Sequence, residues 1–335
     1  MYTILTKKRI QIEDRLSDEE IQELLDNEDL EVLQLASEIE PTTLQTLNDR
    51  LFSVRTDVTL RVYGRYSSVW DLSFLQYLPN VTCLNIEGGD AESIEAITML
   101  PKLKKLNYSL YDIQDFNVLG QIPDTLEELV IGETKSKKPD LSVLERFKQL
   151  RKLVNVGHTK NIDAISTLEN LEWLVLTSIK TENVNFLVPL KKMWNLNVYF
   201  GGITNFSAME GMDTIKRLEF MEVKRLSDIS FISHLPGLEY LSLVNMPSIT
   251  ELPPITNLSK LTKIRLENLK RLEDLSSLEH APALIDFSHN MTNKLEKEAF
   301  FPLLRNPVLE KVHVGFNSLK KIKEFEEIKR EYGKE

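Results

Sequence analysis

Residues able to do chemistry are few in this chain of 335 residues, and they do not converge. The five histidines, His158, His234, His280, His289 and His313, include no pair at the spacing a metal site uses. The single cysteine, Cys83, would need an adjacent base to act as a nucleophile, and none stands near it in the repeat pattern described below. No phosphate-cradling glycine loop is present; Gly88-Gly89 and Gly201-Gly202 read as turn glycines. No catalytic residue, metal ligand or cofactor is therefore expected, and the chain is read as not an enzyme. What remains is the chemistry of recognition. Trp, Tyr and Arg dominate binding energy where proteins meet, so the question becomes which of them the fold displays.

Internal repeats answer it. Segments begin at Val81, Leu103, Leu126, Leu150, Leu171, Met193, Ile215, Leu238, Leu261, Leu284 and Leu309, at spacings between 21 and 25 residues. Each carries apolar residues at its first, fourth and usually sixth positions, as in Leu171-Glu-Trp-Leu174-Val-Leu176. The fourth position reads Leu84, Leu106, Leu129, Leu153, Leu174, Leu196, Leu218, Leu241, Ile264, Phe287 and Val312, with no polar occupant. Alternation of period two makes a strand with one apolar side. One such strand cannot bury that side alone, whereas stacked neighbours form a continuous core. Apolar residues at three-residue spacing, as in Ile229-Ser-Phe-Ile232-Ser-His-Leu235, suit a 3-10 or short helical return.

The Leu-x-x-Leu-x-Leu core resembles the leucine-rich-repeat family. Later halves such as Ile162-Asp-Ala-Ile165-Ser-Thr-Leu168 are similar to its short internalin-like class, with repeats of about 22–23 residues. The resemblance implies an α/β fold: a leucine-rich-repeat solenoid with a curved parallel sheet on its concave face and 3-10 or short helical turns on its convex face, closed by helical caps. It covers residues 57–317, with a weaker unit at Leu30-Glu-Val-Leu33-Gln-Leu35. The chain departs from the family at the ninth position, where the usual asparagine is mostly replaced, for example by Ile179, Val223 and Met246. That asparagine satisfies backbone groups between turns, so its loss predicts irregular turns.

In this arrangement positions three, five and seven face out of the sheet. The resulting columns place Val130, Trp173, Val175, Tyr199, Arg217, Met221, Tyr240 and Arg265 on the concave face, an apolar and aromatic centre flanked by charge. Such a patch with a polar rim is what a protein interface looks like. Cys83 falls in column three, also displayed. Two repeats strain the register, because Asn155 and His289 occupy the inward sixth position. A slip in the repeat at Leu150 would turn Val154 and Val156 inward instead.

Solenoid ends expose core and need covers. Ser17-Asp-Glu-Glu20 is a capping box that predicts a helix carrying Ile21, Leu24 and Leu25. Thr42 to Val54 reads as an amphipathic helix through Leu44, Leu47, Leu51 and Val54, and Lys320 to Tyr332 as another through Ile322, Phe325 and Ile328. The chain thus divides into an acidic helical N-terminal cap (1–29), a first irregular repeat and helix (30–56), the repeat array (57–317) and a charged C-terminal helical cap (318–335).

Net charge is −10, and residues 1–50 hold 13 acids against 5 bases. With no basic face for phosphates, nucleic acid is not the expected partner. No apolar stretch approaches the ~18 residues that cross a bilayer, and the start reverses the order of an export signal. One cysteine fits a reducing compartment. The reading is a cytoplasmic monomer, an adaptor that holds a protein partner. Two alternatives stand beside it: an immunity-type inhibitor neutralising a toxin or enzyme, and the substrate-recognition part of an enzyme.

Overall fold

The computed structural model describes residues 1–35, 37–64, 69–291 and 295–335. They form two compact units, Met1–Leu168 and Glu169–Glu335.

The first unit opens with strands β1 (Tyr2–Thr6) and β2 (Arg9–Ile12), paired antiparallel. Parallel strands then stack on β2 in the order β3 (Val32–Leu35), β4 (Thr59–Tyr63), β6 (Cys83–Gly88), β8 (Lys105–Leu110), β9 (Glu128–Ile131) and β10 (Lys152–Val156). Between them β5 (Val69–Asp71) and β7 (Asp90–Glu92) make a small parallel pair of their own. The second unit stacks β11 (Trp173–Thr177), β12 (Asn195–Tyr199), β13 (Arg217–Met221), β14 (Tyr240–Val244), β15 (Lys263–Glu267), β16 (Asp286–Asn290) and β17 (Lys311–Gly315), all parallel.

The apolar fourth column sets the register. Leu60, Leu84, Leu106, Leu129 and Leu153 stand opposite one another in the first unit. Leu174, Leu196, Leu218, Leu241, Ile264, Phe287 and Val312 do so in the second. All are buried. A shift of one residue would turn each row to water, so the pattern holds the pairing. Core fills the space between sheet and 3-10 returns. In the second unit Phe206 stacks on Phe231 at 5.5 Å and meets Phe220 edge-on at 4.9 Å.

The returns have a recurring start. Asp140, Asp228 and Asp274 each accept a hydrogen bond from the backbone N–H of the serine two residues on, and Asn205 does the same for Ser207. These bonds, with those from the serine hydroxyls, hold the Asp228 and Asp274 carboxyls below their usual range.

From the repeat at Leu150 onward the turns are regular rather than irregular, whereas the eighth positions of the three repeats before it, Gly88, Leu110 and Glu133, are not left-handed. The eighth position of seven successive repeats, Gly157, Ser178, Phe200, Glu222, Asn245, Asn268 and Met291, has positive φ, from 52° to 83°. At Ser178, Phe200, Glu222, Asn245 and Asn268 its N–H donates to the seventh-position carbonyl of the next repeat, as from Phe200 to Met221 at 2.9 Å and Asn245 to Glu267 at 2.9 Å. Backbone does what the absent asparagine would have done, and the ninth position is free to bury Ile179, Val223, Met246 and Leu269.

Both strained repeats keep the regular register. Asn155 points inward, where its amide donates to the His158 carbonyl at 2.8 Å, and Val154 and Val156 stay on the outer face. His289 is also inward and fully buried, without a hydrogen bond on either ring nitrogen.

Helices form in both terminal segments, with additions. Ser17 and Glu20 complete the reciprocal capping box of α1 (Asp18–Asp26), which buries Ile21 and Leu24. Residues 1–12, however, add a hairpin that the repeat pattern did not foresee. Helix α2 (Pro41–Leu47) runs on into a wider turn through Phe52, burying Leu44, Leu47 and Leu51, but Val54 lies beyond it and is exposed. A short helix, α3 (Phe301–Arg305), precedes β17. The final helix, α4 (Leu319–Glu331), buries Phe325 against Phe300 and Phe316. Backbone bonds Val312 to Glu335 (2.6 Å) and Glu335 to Glu310 (2.8 Å) then cover part of the outer edge of β17.

Candidate protein-binding face

The site is built on the outer face of β11 to β15, in the second unit. Alternation along each strand directs positions three, five and seven away from the core. Trp173, Tyr199, Arg217, Met221, Tyr240 and Arg265 all stand there, half-buried. Val175 is on the same face but is covered by its neighbours. Val130 belongs to the first unit, half-buried on the outer face of β9. Cys83, expected to be displayed, is buried; burial pushes its thiol pKa up, which makes it a poor nucleophile.

This face is not a bare apolar patch. Its large side chains lie along the sheet and join a polar chain. Trp173 Nε1 donates to Asn197 Oδ1 at 3.2 Å, and Asn197 Nδ2 donates to the Tyr199 hydroxyl at 2.6 Å. That hydroxyl lies 3.3 Å from Glu219 Oε2, to which it donates, while Glu219 Oε1 accepts from Arg217 Nε at 2.7 Å. The Arg217 guanidinium is 4.0 Å from the centre of the Tyr240 ring, a cation–π contact. On β15, Arg265 pairs with Glu267 at 2.5 Å.

Burial raises the Tyr199 pKa, and the nearby Glu219 charge adds to the rise, so the phenol stays a donor. Beneath these groups Asn195, Asn197 and Ser242 retain only 3%, 5% and 1% of their surface. Asn195 lies between Trp173 and Arg217 in the ladder, and its Oδ1 is buried with no hydrogen-bond donor.

Sequence reasoning put these side chains on the outer face but did not foresee that Glu219, Asn195, Asn197 and Ser242 would be packed among them. The signal for Glu219 was available: Arg217 and Glu219, like Arg265 and Glu267, are opposite charges two residues apart on one face of a strand. The five histidines stand on different repeats, and no cluster of three or more His, Cys, Asp or Glu that could hold a metal occurs among the described residues.

No family model matches the sequence, and no curated protein does. Solved structures do. An internalin, InlF of Listeria monocytogenes, is 18% identical, with 92% of this chain and 91% of that one covered and a TM-score of 0.57. A leucine-rich-repeat protein of Leptospira interrogans is 20% identical over 94% and 91%, with a TM-score of 0.52. TLR13, solved in complex with an RNA, is 17% identical over 92% of this chain and 47% of its own, with a TM-score of 0.58. At such identities the likeness speaks for the fold. This chain has the internalin-like leucine-rich-repeat fold.

Proposed function

We propose that the protein is a non-catalytic scaffold that holds a protein partner on the outer, concave face of its sheet, with the main contact on β11 to β15. The observation that carries this reading is the linked set Trp173, Tyr199, Arg217 and Tyr240. These are the residue types that anchor protein interfaces, and their mutual bonds fix their positions before a partner arrives, which lowers the entropy lost on binding. Val175, Met221 and Arg265 complete the contact on the second unit; Val130, half-buried on the outer face of β9, is a contact of its own.

A protein rather than nucleic acid suits the net charge of −10; no helix among the described residues is long and apolar enough to cross a membrane. The protein acts as a monomeric adaptor without cofactor. A single buried cysteine supports a reducing compartment, the cytoplasm.

Affinity capture with the full chain and with a Trp173→Ala/Tyr240→Ala variant as baits tests the reading. A protein retained by the first and lost by the second supports it. Equal recovery with both moves the contact off this face.

A further inference from the structure

The turns leaving β11, β12 and β13 enclose a second recess, a cleft of about 770 Å³ on the edge of the second unit rather than on the sheet face. Three observations single it out.

The first is Phe200. It occupies the left-handed eighth position at φ 53°, where glycine and asparagine are the residues that fit without strain, and it is the one aromatic in that row. Its side chain gains little from the fold in return, since the residue is 52% exposed. A bulky residue held in a strained conformation with its ring in solvent is not explained by packing.

The second is the bare floor. A Cβ on Gly201 would come within 2.9 Å of the Ile179 carbonyl oxygen, and one on Gly202 within 3.1 Å of Lys180 Cγ. Gly201 lets the chain run close to the backbone of the neighbouring turn, and a side chain on Gly202 would crowd Lys180 at the recess.

The third is charge. Lys180, Lys224 and Arg225 line the cleft against Glu182 and Glu222. Glu222 is engaged by Lys224 at 3.2 Å. Neither Lys180 nor Arg225 has an ion-pair partner among the described residues. In a chain of net charge −10 this is a local excess of unneutralised cations.

We propose that this cleft is a separate docking site for an extended acidic peptide segment of a partner, with an apolar residue packed on Phe200 and carboxylates meeting Lys180 and Arg225. A peptide fits better than a polynucleotide, because a polyanion would be repelled by the rest of the chain while a short acidic segment need only meet the local field. The site is independent of the sheet face, so either can fail without the other.

The test is to pan a phage-displayed random peptide library on the full chain, then measure the enriched peptides by fluorescence anisotropy. Enrichment of Asp and Glu around one apolar residue is expected. Phe200→Gly should weaken binding by about tenfold or more while keeping the fold, because glycine suits the left-handed position. Arg225→Glu should weaken it comparably, and added salt should weaken the wild-type complex. Trp173→Ala should leave it within about twofold, as expected for a distant independent site. The proposal is overturned if nothing enriches, if the enriched peptides are basic, if wild type and Phe200→Gly bind alike, or if a labelled single-stranded RNA binds the cleft in place of peptide.

Discussion

The outer faces of the two units share one backbone plan and carry opposite surfaces. On the first, Arg61 donates to Gln34 at 3.0 Å and to Glu87 at 2.6 Å, and Glu87 also accepts from Asn85 and Asn107. Burial alone would raise the Glu87 carboxyl, but the bonds from Arg61 and Asn85 outweigh it and hold it below its usual range. Small residues, Ser109 and Gly132, then follow at the seventh position, where the second unit has Tyr199 and Met221. The first face is mostly a polar mesh with a recess, and its one guanidinium–ring contact among the described residues is Arg61 over Tyr63 at 4.6 Å; the second is a row of rings and guanidinium groups. Since inward columns are alike in the two, the difference shows that the fold is held by one side of each strand and recognition is written on the other.

The comparison can be broken most directly through the shared core. Leu174→Ala and Leu218→Ala in the second unit, and Leu106→Ala in the first, should each cost about 2–5 kcal/mol in denaturant unfolding. Losses below about 1 kcal/mol in one unit only would mean that its strands are not held by the fourth column.

One inward residue, His289 in the second unit, carries a pH signature. Burial without any hydrogen bond lowers the His289 pKa from 6.5 to about 4. The folded state therefore binds fewer protons than the unfolded state between those values, so stability is full above pH 6.5 and falls as pH drops toward 4. The loss should reach about 3 kcal/mol. His289→Leu should remove this slope from thermal melts of the protein between pH 7 and 4; an unchanged slope would assign it to other groups.

Recognition supplies the next step down. Trp173→Ala or Tyr240→Ala should weaken partner binding by about 2 kcal/mol or more. Tyr63→Phe, which removes the 3.0 Å bond to Gln11 on the first face, should leave the same affinity unchanged in calorimetric titration, as should Glu210→Ala on the convex side. Equal losses from Tyr63 and Tyr240 would make both faces one contact. The smallest effect is Phe200→Gly. Relief of the left-handed strain, about 1–2 kcal/mol, exceeds the entropy glycine adds to the unfolded chain, about 0.5–1 kcal/mol. A net gain near 0.5–1 kcal/mol should appear as a raised melting temperature.

Much of this architecture is legible in the sequence because it is periodic. The fourth column announces strand, register and inward side together, and Ser17 with Glu20 announces α1. The hairpin β1–β2 is not part of any repeat, and its two short runs, Tyr2–Thr6 and Arg9–Ile12, carry no pattern longer than a strand. The inward settings of Asn155 and His289 stay ambiguous in the residues alone, since a polar side chain is placed inside by its tertiary surroundings. The sheet face was half readable. Columns identify which residues point outward, whereas the way Trp173 reclines onto Asn197, or Arg217 onto Tyr240, depends on rotamers that spacing does not encode.

The left-handed row at the eighth position has a practical meaning for anyone wishing to redesign this protein. The turns at Ser178, Phe200, Glu222, Asn245 and Asn268 are each closed by their own backbone amide reaching the next repeat, so the closure does not depend on which side chain is mounted there. Ser178, Phe200, Glu222 and Asn268 already show how varied the occupants can be. The row is a series of exchangeable mounts along the sheet edge, at which a saturation library could graft new contacts one repeat at a time while the stack beneath keeps its form.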